Sequence, residues 1–389
     1  MAFDFDNVID RRCTDSLKWA VAGHELPLWV ADMDFPAAPA IQEALQRRLS
    51  EQIFGYSIVP DTWYQAIQHW WKKRHDFVME KDWLIFCTGV VPAITCAVKH
   101  LSNVGDQVVV QTPVYDIFFH SIENSGRHVL ENSLVYLDGH YVMNFTDLEE
   151  KLADPLTTLL ILCNPHNPAG NLWTKEELAR LGALCYQHHV RVISDEIHCD
   201  LTDPGIEYVP FAAASGICAA NSVTCISASK AFNLAGLQSA AVMVPDEELR
   251  QKMARGLNAD ELAEPNSFAI AGTIAAFCHG ADWLDALRQY IYGNKQLVRR
   301  FLMQELPAIQ LASGAATYLL WLDCHQISED VPGLCAFIRQ ETGLYLTAGI
   351  QYRGNGQDFM RMNIACPRSR IRDALQRLKQ GCTAYLQAI

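Results

Sequence analysis

Residues 158–198 read TLLILCNPHNPAGNLWTKEELARLGALCYQHHVRVISDEIH, and they decide the fold. The apolar run Thr158–Cys163 has the length and composition of a buried strand. It breaks into Asn164-Pro-His-Asn-Pro-Ala-Gly170, a turn-rich loop. Thr174 and Glu177 then form a T-x-x-E capping box ahead of a helical stretch that lasts to His189. A second strand, Val190–Ser194, follows and ends at Asp195. Strand, helix, strand is the unit of a parallel sheet covered on both faces.

Outward from this unit the pattern repeats. Val108–Gln111, Ser222–Ile226 and Ala240–Val244 read as further strands of the same sheet. Together they predict an α/β chain: a large domain over residues 50–283 with a mostly parallel sheet sandwiched by helices. From about Trp283 longer helices take over, followed by strands at Ala316–Asp323 and Phe359–Ile364. A final amphipathic helix runs through Leu375 and Leu378. Residues 284–389 therefore read as a smaller α/β domain. The first 49 residues hold one helix, Ala38–Leu49, and no sheet of their own, so they are expected to pack with that smaller domain.

The totals narrow the function. A chain of 389 residues with a formal charge of −13 and half its residues hydrophobic is globular and acidic. That charge opposes non-specific binding to nucleic acid or anionic membranes, both of which need a basic face, and leaves room only for a local basic patch. The thirteen cysteines contain no C-x-x-C pair, so no metal centre is expected, and reduced thiols point to the cytoplasm. The segment MAFDFDNVIDRR lacks the apolar core of a signal peptide, and no 18-residue uncharged apolar run follows, so no membrane span is expected.

In open parallel sheets ligands bind beyond the carboxyl ends of the strands, and polar residues gather there. Lys230, in Ser227-Ala-Ser-Lys230, stands just past a strand end between hydroxyls. Partly desolvated, such a lysine forms Schiff bases; left in water it is a surface charge. Asp195 either pairs with a cationic ring nitrogen or caps a turn. Asn167, between two prolines, offers a fixed amide. Gly89 opens a helix at Thr88-Gly-Val-Val-Pro92, whose N–H groups at Val90 and Val91 suit a phosphate. Tyr115 stacks on a ring or fills the core. His198 holds Asp195 or is an ordinary core histidine. Arg361 grips a carboxylate with two parallel bonds or makes a surface ion pair.

Taken in order, TGVVPA at 88–93, TPVYDIF at 112–118, NPHNPAG at 164–170, ISDEIH at 193–198, SASKAFNLAGLQ at 227–238 and FMRMNIACPRS at 359–369 resemble the fold-type I pyridoxal-phosphate enzymes of the class I/II aminotransferase superfamily. More narrowly they resemble the MalY/PatB branch of cystathionine β-lyases, or C–S lyases. The likeness runs from Trp29-Val-Ala-Asp-Met-Asp-Phe35 to Ser369. It implies pyridoxal 5'-phosphate as cofactor, with Lys230 as its Schiff-base lysine. Asp195 is then the partner of the pyridine nitrogen, Asn167 the ligand of the phenolic oxygen and Tyr115 the stacking ring. Val90 and Val91 N–H groups and the Ser227 and Ser229 hydroxyls are left to hold phosphate. Tyr56, in Gly55-Tyr-Ser57, resembles the tyrosine that reaches the neighbouring subunit's phosphate, which implies a homodimer. Arg361 would take the substrate α-carboxylate. Asp32 and Asp34 lie in a segment like the branch's substrate entrance, and Asp34 is also placed to cap the helix after Pro36.

Two positions depart from the wider aminotransferase pattern. Gln238 stands where many relatives place a phosphate-binding arginine, and His198 where many aminotransferases carry a tyrosine. The implied reaction is α,β-elimination of L-cystathionine or a related S-substituted L-cysteine to pyruvate, ammonia and a thiol. Transamination is the alternative, sharing every step up to the carbanion. A third reading is a regulatory protein that keeps the cofactor and acts by binding a partner.

Overall fold

The computed structural model describes residues 3–388. Its first strand is β1 (Leu26–Pro27). Then come β2 (Leu84–Cys87), β3 (Gln107–Val110), β4 (His128–Glu131), β5 (Val135–Leu137), β6 (His140–Val142), β7 (Thr157–Cys163), β8 (Arg191–Asp195), β9 (Ser222–Ile226) and β10 (Ala240–Met243). The last third adds β11 (Gln310–Leu311), β12 (Leu319–Asp323), β13 (Leu344–Tyr345), β14 (Thr347–Ala348) and β15 (Phe359–Asn363).

The main sheet has seven strands in the order β2-β10-β9-β8-β7-β3-β4. All neighbours pair in parallel except β10, which is antiparallel to both β9 and β2. The pleat explains its depth. Along β7, Leu159, Ile161 and Cys163 enter one core cluster while Leu160 and Leu162 enter another on the opposite face. Both faces are thus covered, and the strand reads as one apolar run. Helix Lys175–Gln187 starts at the predicted box: Glu177 N–H donates to Thr174 Oγ1 at 3.1 Å and Thr174 N–H to Glu177 Oε2 at 2.8 Å.

A second sheet, β11-β12-β15-β14, lies in the C-terminal part. β1 pairs in parallel with β13, so the N-terminal segment is tied to this part of the chain. Helix Pro39–Ser50 instead packs along Ala269–His279, which leaves the first fifty residues in contact with both regions. The loop after β7 touches the second region at Gly170, where φ is +71°. Its carbonyl accepts the N–H groups of Ala315 and Ala316, and a Cβ there would meet Ala316 O at 2.5 Å. Only glycine serves at this crossing.

Asp34 does not cap a helix. The helix begins at Pro39, one residue after its predicted start, with Ala38 before it and no side-chain cap. Asp34 is instead buried among Arg11 (2.9 Å), Lys18 (3.1 Å), Arg370 (2.9 Å) and the Trp19 indole N–H (2.9 Å). Burial alone would raise its pKa; Lys18, Trp19 and Arg370 reverse this and hold it below the usual carboxylate value. Among the described residues no helix is long and apolar enough to cross a membrane.

Candidate active site

β7, β8 and β9 lie side by side with their carboxyl ends level. Asp195, the last residue of β8, is in register with Cys163 on one side and Cys225 on the other. The loops that leave these ends bring Asn167, Asp195, His198 and Lys230 to one cleft of about 320 Å³. Val90 and Val91, at the N-terminus of helix Val90–Leu101, line it, with Gly89, Tyr115, Ser229, Gln238 and Arg361. No side chain caps that helix, so its first-turn N–H groups meet no acceptor from Gly89.

Lys230 is half-buried and donates from Nζ to Ala31 O at 2.7 Å. Desolvation, with help from the Arg361 charge, lowers its pKa to about 8. Asp195 is buried and accepts one hydrogen bond, from Ile197 N–H at 3.1 Å. Desolvation raises its pKa to about 6, against that bond and the Lys230 charge. His198 is buried with no partner for Nδ1; desolvation, Lys230 and Arg361 lower its pKa to about 3, so it is neutral. Arg361, on β15, donates from Nη1 to Asn167 Oδ1 at 3.1 Å and from Nη2 to Trp29 O at 2.8 Å. Its Nε is buried without a partner.

Ser227 does not line the cleft itself. Its hydroxyl donates to Ser239 O at 2.6 Å, lies 2.7 Å from Ser229 Oγ and accepts the Ser229 N–H at 3.0 Å, shaping the turn that carries Lys230. Asp32 also lies outside the cleft lining, in a bidentate pair with Arg11 at 2.5 and 2.9 Å, although its charge reaches Lys230. Tyr56 is wholly exposed in the stretch 52–59, between two helices, and does not line the cleft.

Sequence reasoning missed a strap. Leu28–Asp34 lies over Lys230, held at one end by the carboxylates of Asp32 and Asp34 and along its length through its backbone. Asn363 Nδ2 donates to Val30 O (2.6 Å) and Asp32 O (2.7 Å). Tyr318 OH reaches Ala31 O (3.2 Å), and Asn233 exchanges two 3.0 Å bonds with the Met33 backbone. Main-chain carbonyls have no sequence signature, so only Asn233 and Asn363, side chains that mimic a peptide, offered any signal. Two groups of metal-ligand type lie elsewhere and are internally satisfied: Asp200 accepts from Trp70 and sits 3.1 Å from His75, beside Cys199; Asp260 pairs with Lys99, beside Cys96 and His100.

A lysine, a carboxylate and a helix N-terminus at the strand ends of an α/β sheet, closed by an arginine from a second sheet, define a lysine-centred enzyme of the aminotransferase fold. Residues 26–378 match the family described as aminotransferase class I and II, and the chain belongs to it. It is 42% identical to cystathionine β-lyase PatB of Bacillus subtilis, over 97% of this chain and 99% of that protein. It is 32% identical to protein MalY of Escherichia coli, over 100% of this chain and 99% of that protein. Its fold matches the crystal structure of cystalysin from Treponema denticola, which contains a pyridoxal 5'-phosphate cofactor, with a TM-score of 0.96 and 30% identity; 99% of this chain and 100% of that one are covered. The fold is that of the fold-type I enzymes.

The inner cleft fits such a cofactor on its own chemistry. A buried carboxylate with a single hydrogen bond calls for a cation, and a protonated pyridine nitrogen is one. An uncapped helix start calls for an anion, and a phosphate is one.

Proposed function

We propose that this chain is a pyridoxal-phosphate-dependent carbon–sulfur β-lyase. It splits L-cystathionine or related S-substituted L-cysteines, with one water, into pyruvate, ammonia and a thiol. The observation that carries this reading is Lys230, an amine with its pKa lowered to about 8, in one cleft with Asp195 and Arg361. The 42% identity to a protein named cystathionine β-lyase supports the choice of reaction.

In this reading Asp195 receives the ring nitrogen, Asn167 the phenolic oxygen and Tyr115 the ring face, with His198 neutral beside them. Val90 and Val91 N–H groups, with Ser229 and the turn built by Ser227, hold the phosphate, since Gln238 supplies no charge. When bound, the cofactor withdraws electrons from the substrate Cα, which makes its proton acidic and lets the Cβ–S bond break. Arg361 grips the α-carboxylate with its guanidinium plane already fixed by Asn167 and Trp29. Lys230, with a pKa near neutrality, takes the Cα proton as general base. Asp195 stays ionised because the cation it faces offsets its burial.

Residues 50–283 form the large domain and 1–49 with 284–389 the small one, with the strap lying between them over the site. Tyr56 acts in a neighbouring subunit: the exposed run Ile53, Phe54, Tyr56 and Ile58 favours a homodimer. The thirteen unpaired cysteines favour the cytoplasm. Purified enzyme incubated with L-cystathionine and no keto acid should release pyruvate and thiol in equal amounts. Strict dependence on an added keto acid would make it an aminotransferase; bound cofactor with no elimination from any β-substituted amino acid would make it a binding protein.

A further inference from the structure

The inner cleft opens through Val30, Tyr115 and Arg361 into an outer one of about 890 Å³. We propose that this outer cleft is a subsite for the far end of the substrate thioether, where Arg339 takes a terminal carboxylate; the proposal rests on the lyase reading above. Arg339 lies on helix Val331–Thr342, and its guanidinium carbon stands 3.5 Å from the centre of the Tyr345 ring. Tyr345 stacks on Trp29 at 5.1 Å and 14°. The Trp29 carbonyl is the acceptor that fixes Arg361. Trp29 therefore serves both guanidinium groups, its ring carrying the Tyr345 stack under Arg339 at the far end and its main-chain carbonyl holding Arg361 at the reacting end.

Arg339 is held for this task. Its Nε donates to Glu25 Oε1 at 2.6 Å and its Nη2 to Glu25 Oε2 at 3.3 Å, and Glu25 is itself fixed by the Ala22 N–H at 2.9 Å. Among the described residues nothing accepts from Nη1. A guanidinium has five N–H donors, so the Nη1/Nη2 edge remains open for a carboxylate in the paired geometry that arginine favours. The Trp29–Tyr345 stack offers an apolar wall to the methylenes and sulfur between the two ends. An ordinary surface ion pair would need none of this: it would not sit on a stack ending at the residue whose carbonyl holds Arg361, nor face a cleft far larger than cysteine requires.

The substrate class follows: S-alkylcysteines ending in an acid. The test compares S-carboxypropyl-L-cysteine with its neutral carboxamide, and both with S-methyl-L-cysteine, in pyruvate release by the holoenzyme. The acid should exceed the amide by about tenfold or more in kcat/KM, chiefly through KM, because the far end is bound alike in ground and transition states. In Arg339→Gln the ratio of acid to amide should fall towards one. The ratio within one preparation does not depend on how much protein folds, and Glu25→Gln/Arg339→Gln, which removes both charges, should give the same ratio. A non-reactive thioether diacid lacking the amine should bind more tightly than its mono-amide by calorimetry in the wild type and equally in the variants. Equal turnover of acid and amide by the wild type, or an unchanged preference in both variants, overturns the subsite alone. No pyruvate from any of the three overturns the lyase reading and the subsite with it.

Discussion

At the scale of single residues the site is a balance of desolvation against charge. Lys230, Asp195 and His198 have all moved towards their neutral forms, the lysine and histidine downward and the carboxylate upward. For Asp195 the shift is a stability statement. Its folded pKa, about 6, lies above the ordinary 3.8, so between these values the folded chain holds a proton that the unfolded chain has released. The contribution is fully present below the lower value and is lost as pH rises through about 6. In cofactor-free protein, the stability of wild type relative to Asp195→Asn should therefore fall by roughly 2–3 kcal/mol between pH 4 and 7, measured by denaturant unfolding. A flat difference would mean that Asp195 is already ionised at pH 4. Reconstitution with cofactor should remove most of the slope. Asn167, Asp195, His198 and Lys230 were legible in the sequence because each stands at or just past a strand end; Ala31, whose carbonyl receives Lys230, was not, because any residue supplies a carbonyl.

At the scale of elements, what the sequence revealed tracks the length of the signal. Most of the long buried strands fall within a residue of their predicted bounds and β9 coincides with its prediction, since several β-branched or apolar residues in a row leave little choice, whereas β12 starts three residues after its predicted Ala316. The short strands β1, β5, β6, β11, β13 and β14 carry two or three residues each, too few to display a period. The antiparallel direction of β10 was equally hidden, because hydrophobic pattern reports burial and not polarity. Asp34 was misread for a related reason: a short acid near a proline resembles a cap, while its real partners come from residues 11, 18, 19 and 370. Asp34→Ala leaves Lys18, wholly buried, and Arg370 without their counter-charge. The variant should lose about 3–5 kcal/mol in urea unfolding. A loss below about 1 kcal/mol would mean that the two cations reach solvent on their own.

At the scale of the whole molecule the chain is one half of its proposed working unit. Tyr56, like Asp32 and Ser227, stands outside the cleft lining, and it alone of these lies on an apolar exposed run. If it completes the partner's site, Lys230→Ala and Tyr56→Ala chains should complement each other. In a hybrid dimer one site carries both defects and the other carries none. Random re-pairing makes half the dimers hybrid, so a mixture of two inactive preparations should recover up to about a quarter of the wild-type activity. No gain over the separate preparations would place Tyr56 outside the reaction and leave each subunit self-sufficient.

The strap over Lys230 also sets an order of events during biosynthesis. Trp29 to Asp34 leave the ribosome early, and the lysine they cover follows two hundred residues later. Of the groups that pin them, Asn233 comes with the lysine, while Tyr318, Arg361 and Asn363 follow about a hundred residues later. A nascent chain that has already made its main sheet still has an open active site, so closure over the cofactor belongs to the final stage of translation. A chain cut short just before residue 361 would thus be expected to keep Lys230, Asn233 and Tyr318 but to lose the Arg361 and Asn363 part of the clamp.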